Sequence, residues 1–158
     1  MKTFNTTAVC IPEKHYMVDL SERVTEIKKL VDSGKYFTIN RARQYGKTTT
    51  IDALCRVLRD QYIVISLDFQ DIEYGSFING GEFSKAFARI LLDASEFDDL
   101  VLPEDIKEKL QALNERKTTE VKMDDLFRVF RSWFKEEEKS IVLIIDEVGT
   151  AANNQVFL

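Results

Sequence analysis

The chain has 158 residues, 44% of them hydrophobic and 31% charged, with a formal net charge of −5. This balance favours a soluble globular protein over a disordered one, and the acidic charge gives no indication of a broad nucleic-acid surface. No apolar run approaches the roughly 20 residues of a membrane helix, and Met1–Cys10 is too polar for a signal peptide, so we expect a cytoplasmic protein. A single histidine and two widely separated cysteines argue against a zinc site.

The first part of the chain is predicted to alternate helices with strands. Apolar residues at helical spacing follow Asp19 and Ser21, either of which can cap the free N–H groups of a helix start. A short aromatic and β-branched stretch then predicts a strand. The predicted elements are a helix from Ser21 to about Gly34, a strand at Lys35–Ile39, a helix from Lys47 to about Asp60 and a strand at Tyr62–Leu67.

The rest of the chain is predicted to be mainly helical before a final apolar strand. Gly75, Asn79, Gly80 and Gly81 indicate a loop. The strand, Ile141–Ile145, has five consecutive apolar residues, as expected for a strand covered on both faces. Strands alternating with helices predict an α/β fold with a mostly parallel sheet. The predicted elements are a loop at 70–81, helices at Phe83–Leu92, Pro103–Leu113 and Met123–Lys135, and the strand at Ile141–Ile145.

A basic loop ending in Gly-Lys-Thr lies between a predicted strand and a predicted helix, which is the setting of a phosphate-binding loop. Free N–H groups at the helix start and the helix dipole both favour an anion. We expect Lys47 to reach the β- and γ-phosphates as a catalytic residue, and the Thr48 hydroxyl to bind magnesium. The nucleotide-contacting residues are expected to be Arg43, Gln44, Tyr45, Gly46, Lys47, Thr48 and Thr49, within a loop spanning 40–49.

The loop departs from the usual pattern at one position. The pattern G-x-x-x-x-G-K-[ST] requires glycine at position 41, where this chain has Arg41. On the Gly-Lys-Thr tripeptide alone, a basic turn followed by a helix is an equally good interpretation. The strand–loop–helix context favours nucleotide binding.

The final apolar strand runs directly into Asp146 and Glu147, which is the Walker B pattern. The carboxyl ends of strands in open α/β sheets are where ligands bind. There, Asp146 is predicted to hold magnesium, and Glu147 to orient or deprotonate the attacking water. The alternative interpretation of these two acids is a solvated strand end, and the phosphate loop upstream favours the Walker B interpretation over it.

The stretch Arg41–Thr48 resembles a variant phosphate loop, Arg-x-Arg-x-Tyr/Phe-Gly-Lys-[Ser/Thr], found in bacterial AAA-like ATPases. The segment Ile11–Asp19 also resembles the lead-in of this family. The resemblance implies the additional-strand, three-layer P-loop fold, with ATP and Mg²⁺ as ligands. It also implies that Tyr16 or His15 stacks on the adenine, although simple packing is the commoner role of such an aromatic residue. In larger members of the family a nuclease-like domain often follows.

In the fold that the chain resembles, the strands are ordered 5-1-4-3-2. Strand 4 would follow Leu158, so we expect the chain to be the N-terminal part of an ATPase domain, with unpaired strand edges that favour self-association. Within 1–158, the resemblance assigns the lead-in and first helix to 1–34, the phosphate loop to 40–49, a helical segment to 71–139 and the Walker B strand to 141–147.

Two other functions are compatible with the same residues. A P-loop kinase would use the same loop to transfer a phosphoryl group to an acceptor, and a non-hydrolysing interaction module would bind nucleotide only as a switch. Many P-loop kinases lack the second carboxylate, so the Asp146–Glu147 pair favours hydrolysis.

Overall fold

The computed structural model describes residues 19–39, 46–70, 72, 74–97 and 100–147. The chain divides into two compact units, Met1–Tyr62 and Ile63–Leu158. The described part is mixed α/β and mainly helical, and its strands form one parallel sheet. This confirms the predicted fold class at the level of α/β.

The first unit contains two helices that pack against each other, α1 (Ser21–Asp32) and α2 (Lys47–Leu58). Their apolar residues recur at helical spacing and are buried: Val24 and Ile27 on α1, and Ile51, Leu54, Cys55 and Leu58 on α2. Both helices were predicted from this spacing. As expected, Asp19 acts at the start of α1, where its carboxylate accepts hydrogen bonds from the Ser21 backbone N–H and hydroxyl.

The predicted strand at Lys35–Ile39 does not form. These residues have no regular secondary structure, and Tyr36 is fully exposed at 103%. A strand is stable only when a neighbouring backbone takes up its N–H and C=O groups. Among the described residues, no strand pairs with this segment. Its β-forming composition by itself is therefore not sufficient to form a strand.

The second unit begins with β1 (Ile63–Asp68) and ends its described part with β2 (Ile141–Asp146). Three α-helices lie between the strands in sequence, together with the 3₁₀ turns Tyr74–Phe77 and Thr118–Glu120. The helices are α3 (Gly80–Phe97), α4 (Glu104–Glu115) and α5 (Met123–Glu136). All three were predicted, but α3 is longer at both ends. At its start, Asn79 caps the helix by accepting from the Gly81 and Glu82 N–H groups.

The strands β1 and β2 pair in parallel, with Ile63 opposite Ile141 and Asp68 opposite Asp146. The predicted order places these strands, the second and third of the resembled fold, next to each other, and this adjacency is confirmed. The described residues contain only this pair of strands, so the additional-strand, three-layer P-loop fold stays a prediction.

A single apolar cluster holds the second unit together. Its centre lies among α3, α4, α5 and one face of β1, where Trp133 is 1% exposed. Phenylalanine rings fill much of it, and Phe87 meets the ring edges of Phe69 and Phe130 at centroid distances of 6.1 Å and 5.8 Å. No helix of the described residues is long and apolar enough to span a membrane.

The expectation that the final strand is covered on both faces is wrong. All residues of β2 are partly exposed, and Leu143 is 47% exposed. Its register partner Ile65, on the same face of the sheet, is only 2% exposed. The difference arises because β1 lies against the helices while β2 is the outer strand of the described sheet.

Candidate functional site

Gly46 sets the geometry at the start of α2. Its φ of +73° lies in the left-handed region that favours glycine, and α2 begins at the next residue. Among the described residues, no side chain caps this helix start. The first backbone N–H groups of a helix have no partner within the helix, so this end is suited to an anion.

Lys47, Thr48 and Thr49 form the first turn of α2. Thr48 is exposed, whereas Lys47 and Thr49 are half-buried. An ammonium group and two hydroxyl groups therefore occur on the turn whose N–H groups favour negative charge. The helix of the predicted strand–loop–helix setting is present, whereas the predicted strand before it does not form and residues 40–45 lie outside the described residues.

Thr50 has a role that sequence reasoning missed. It is fully buried, and both its backbone N–H and its hydroxyl donate to the Gly46 carbonyl, at 2.9 Å and 2.8 Å. These two bonds fix the glycine to the first turn of the helix. A threonine four residues after the glycine was the available signal, because threonine hydroxyls in helices commonly donate to the i−4 carbonyl.

Several predicted site residues lie outside the described residues. They are Tyr16 and His15 in the lead-in, and Arg41, Arg43, Gln44 and Tyr45 in the loop. Their proposed contacts with nucleotide stay predictions.

The acidic pair ends β2. Asp146 is the last residue of the strand, and its carbonyl accepts from the Phe69 N–H at 3.1 Å, which ties the strand end to β1. The Asp146 carboxylate accepts from the Glu147 N–H at 2.8 Å. Glu147 has a φ of +54°, and no other non-glycine among the described residues has a positive φ. Sequence gave no signal of this conformation, since glutamate adopts it rarely.

Asp68 lies beside Asp146 at the carboxyl edge of the sheet, as its register partner. Its carboxylate accepts from the Gln70 N–H at 2.8 Å, which makes it a turn residue. Within the described ranges, no three acidic, histidine or cysteine side chains are grouped closely enough to hold a metal by themselves.

The structure places the predicted residues in two groups. Gly46–Thr49 belongs to the first unit, and Asp146 and Glu147 belong to the second. The first group lies at a helix start directly after a glycine, and the second places two acidic residues at a strand end.

Comparison with known proteins adds no assignment. No family model, no curated protein and no solved structure matches the chain.

Proposed function

We propose that the chain is the ATP-binding part of an AAA-like P-loop ATPase that hydrolyses ATP with Mg²⁺. The observation that carries the proposal is the left-handed Gly46 directly before the uncapped start of α2, with Lys47 and Thr48 on the first helical turn. Gly-Lys-Thr is a weak motif as sequence alone, and a helix start that favours anions directly after its glycine supports the assignment.

Binding would rest on the first unit. The N–H groups at the start of α2 would donate to phosphate oxygens, and Gly46 has no side chain to obstruct them. The Lys47 ammonium would add a charge-assisted contact to the β- and γ-phosphates. The bonds from Thr50 to the Gly46 carbonyl hold this backbone in place before any ligand arrives.

Hydrolysis would rest on the acidic pair. Thr48 and Asp146 would hold magnesium, which when bound supplies positive charge to the phosphate oxygens. Glu147 would orient the attacking water and accept its proton. The bond from the Glu147 N–H holds the Asp146 carboxylate beside the Glu147 backbone. One residue would then serve the metal and its neighbour would serve water. This division of roles supports hydrolysis over transfer to an acceptor.

The test is a titration of the folded chain with a fluorescent ATP analogue and Mg²⁺. Lys47→Ala is expected to weaken binding about tenfold or more, because one charge-assisted contact contributes roughly 1.5–3 kcal/mol. Lys29→Ala is the matched control, since Lys29 is an exposed lysine at the other end of a helix in the same unit. It should bind like the wild type. Equal affinities for Lys47→Ala and the wild type would refute the phosphate-loop assignment.

A further inference from the structure

The Gly46 carbonyl accepts two hydrogen bonds from one residue. The backbone N–H of Thr50 donates to it at 2.9 Å, and the Thr50 hydroxyl donates to it at 2.8 Å. The N–H bond is the ordinary first bond of α2, whereas the hydroxyl bond depends on the side chain at position 50. Thr50 is fully buried, so bulk water does not compete for its hydroxyl. The two bonds together fix the direction of the Gly46 C=O group.

The direction of this carbonyl sets the direction of the next N–H group. The peptide unit between Gly46 and Lys47 is planar and trans, so its C=O and N–H groups point in opposite directions. Since the carbonyl is directed along α2 toward Thr50, the Lys47 N–H is directed out of the helix start. This N–H is one of the helix-start donors that would bind a phosphate.

The backbone at position 46 has more conformations open to it than that of any other residue type, because glycine has no Cβ. It also lies at a helix end, where the last turn commonly frays. A second bond to the Gly46 carbonyl disfavours the alternative conformations already in the free protein. Less conformational entropy is then lost when a ligand binds, which strengthens binding without any new contact to the ligand.

We propose that Thr50 is a positioning residue of the phosphate loop. Its buried hydroxyl holds the peptide unit between Gly46 and Lys47 in the orientation that presents the Lys47 N–H to a phosphate of the nucleotide. Thr50 acts through the Gly46 carbonyl and does not itself touch the ligand. This role rests on the proposed nucleotide binding, and it makes the affinity for phosphate depend on a residue beyond the Gly-Lys-Thr motif.

Ser84 provides a matched control in the second unit. Its hydroxyl is also fully buried and donates to the carbonyl of a glycine four residues earlier, Gly80, at 2.6 Å. This bond lies in the first turn of α3, where no phosphate contact is proposed. If such hydroxyl bonds only stabilise helix starts, removing either of them should change stability and leave nucleotide affinity as it is.

Two substitutions at position 50 separate the hydroxyl from the packing of the side chain. Thr50→Val keeps the branched shape and removes the hydroxyl, so it should raise the dissociation constant of a fluorescent ATP analogue with Mg²⁺ about three- to tenfold, the usual effect of one hydrogen bond. Thr50→Ser keeps the hydroxyl and loses a packed methyl group, so it should be less stable and yet bind like the wild type. Ser84→Ala should also bind like the wild type. Inorganic tripolyphosphate, used as a competitor without base or sugar, should show the same loss in Thr50→Val.

Circular dichroism and urea unfolding show whether each variant is folded, and Thr50→Ala is a second hydroxyl-free variant should Thr50→Val not fold. Wild-type affinity in the hydroxyl-free variant would overturn the positioning role, as would an equal loss of affinity in Thr50→Ser. Lys47→Ala distinguishes the two proposals. If it binds like the wild type, nucleotide binding by this loop is refuted and the role of Thr50 with it. If Lys47→Ala weakens binding and Thr50→Val does not, only the role of Thr50 is refuted.

Discussion

Two residues in the left-handed region border the candidate site. Gly46 adopts it without a steric cost, whereas Glu147, with a φ of +54°, adopts it against a preference of roughly 1–2 kcal/mol. The surrounding structure must hold Glu147 there. The bond from its N–H to Asp146 and the tie from the Phe69 N–H to the Asp146 carbonyl are the contacts that do so.

Two substitutions separate the function of the Glu147 side chain from the free-energy cost of its backbone conformation. They are made in a form of this protein that hydrolyses ATP. Glu147→Gln should keep ATP binding and lower turnover by about 10²–10⁴-fold, because the carboxylate acts on water rather than on the bound nucleotide. Glu147→Gly should lose turnover equally, yet be about 1 kcal/mol more stable than the glutamine variant because glycine has no cost at this φ. Steady-state phosphate release and urea unfolding give the two quantities. Wild-type turnover by Glu147→Gln would mean that the base lies elsewhere.

At the scale of the elements, the backbone at the start of α3 passes close to the backbone at Thr118 and Val121. A Cβ on Gly81 would lie 2.7 Å from the carbonyl oxygens of both Thr118 and Val121. These oxygens belong to main chain that the 3₁₀ turn Thr118–Glu120 holds in place. The neighbouring Gly80 has room, since its Cβ would meet the Met123 side chain at an ordinary 3.4 Å.

The two glycines therefore form a matched pair. Gly81→Ala should lower the free energy of unfolding by about 1–3 kcal/mol, the usual cost of forcing atoms into a packed site. Gly80→Ala should be neutral or slightly stabilising, because alanine loses less conformational entropy than glycine in a helix. Chemical denaturation of both variants measures the difference. Equal effects would show that α3 can shift away from the turn at little cost.

The start of α5 contains an acid-sensitive carboxylate. Asp125 accepts from the Lys122 N–H at 2.9 Å and lies 3.3 Å from the Arg116 guanidinium. The Lys122 N–H, followed by the positive charge of Arg116, lowers the pKa of Asp125 below its ordinary value. A depressed folded-state pKa contributes stability that is present above the unfolded value of about 3.9 and is lost as the pH falls through the folded value.

Stability should accordingly fall in acid, and part of that fall should depend on Asp125. Asp125→Asn should be less stable than the wild type at neutral pH, and its stability should vary less between neutral pH and the acid side of the folded pKa. Asp93→Asn, at an exposed position on α3, is the control and should keep the wild-type slope. Urea unfolding at a series of pH values provides the comparison. An unchanged slope in Asp125→Asn would show that other carboxylates control acid stability.

At the scale of the whole molecule, the chain consists of two units with cores of very different size. The buried cluster around Trp133 lies entirely in the second unit. Among its described residues, 19–39 and 46–62, the first unit has only a few buried apolar side chains, all on α1 and α2. Small cores bury too little apolar surface to give much stability, so the first unit should be the less stable one.

This difference should appear as two unfolding transitions. Trp133 is the only tryptophan in the sequence and is 1% exposed, so its fluorescence reports on the second unit, while far-UV circular dichroism reports on the helices of both. The dichroism signal should begin to change at lower denaturant than the fluorescence. Leu58→Ala, at a fully buried position on α2, should move the early dichroism change and leave the fluorescence midpoint in place. Coincident transitions in the wild type would indicate one cooperative unit.

The sequence predicted the five α-helices of the described residues, with the bounds of α3 too short, and both strands of the described sheet. It also predicted the Gly46–Thr49 turn at the start of α2 and the carboxylates at the end of β2. These features depend on residues close together in the chain. A helix satisfies its backbone hydrogen bonds within its own segment, so apolar spacing and caps largely define it.

What only the tertiary structure decided involves partners that are distant in sequence. Lys35–Ile39 has the composition of a strand and forms none, whereas Ile141–Asp146 pairs with a strand more than seventy residues earlier. The exposure of Leu143 likewise depends on what lies beside β2 and not on its own side chain. Glu147, whose φ opposes its local preference, follows a strand end that the distant Phe69 N–H ties to β1. Strand pairing, burial and backbone strain require a second piece of chain to supply the energy, and local sequence cannot specify which piece that is.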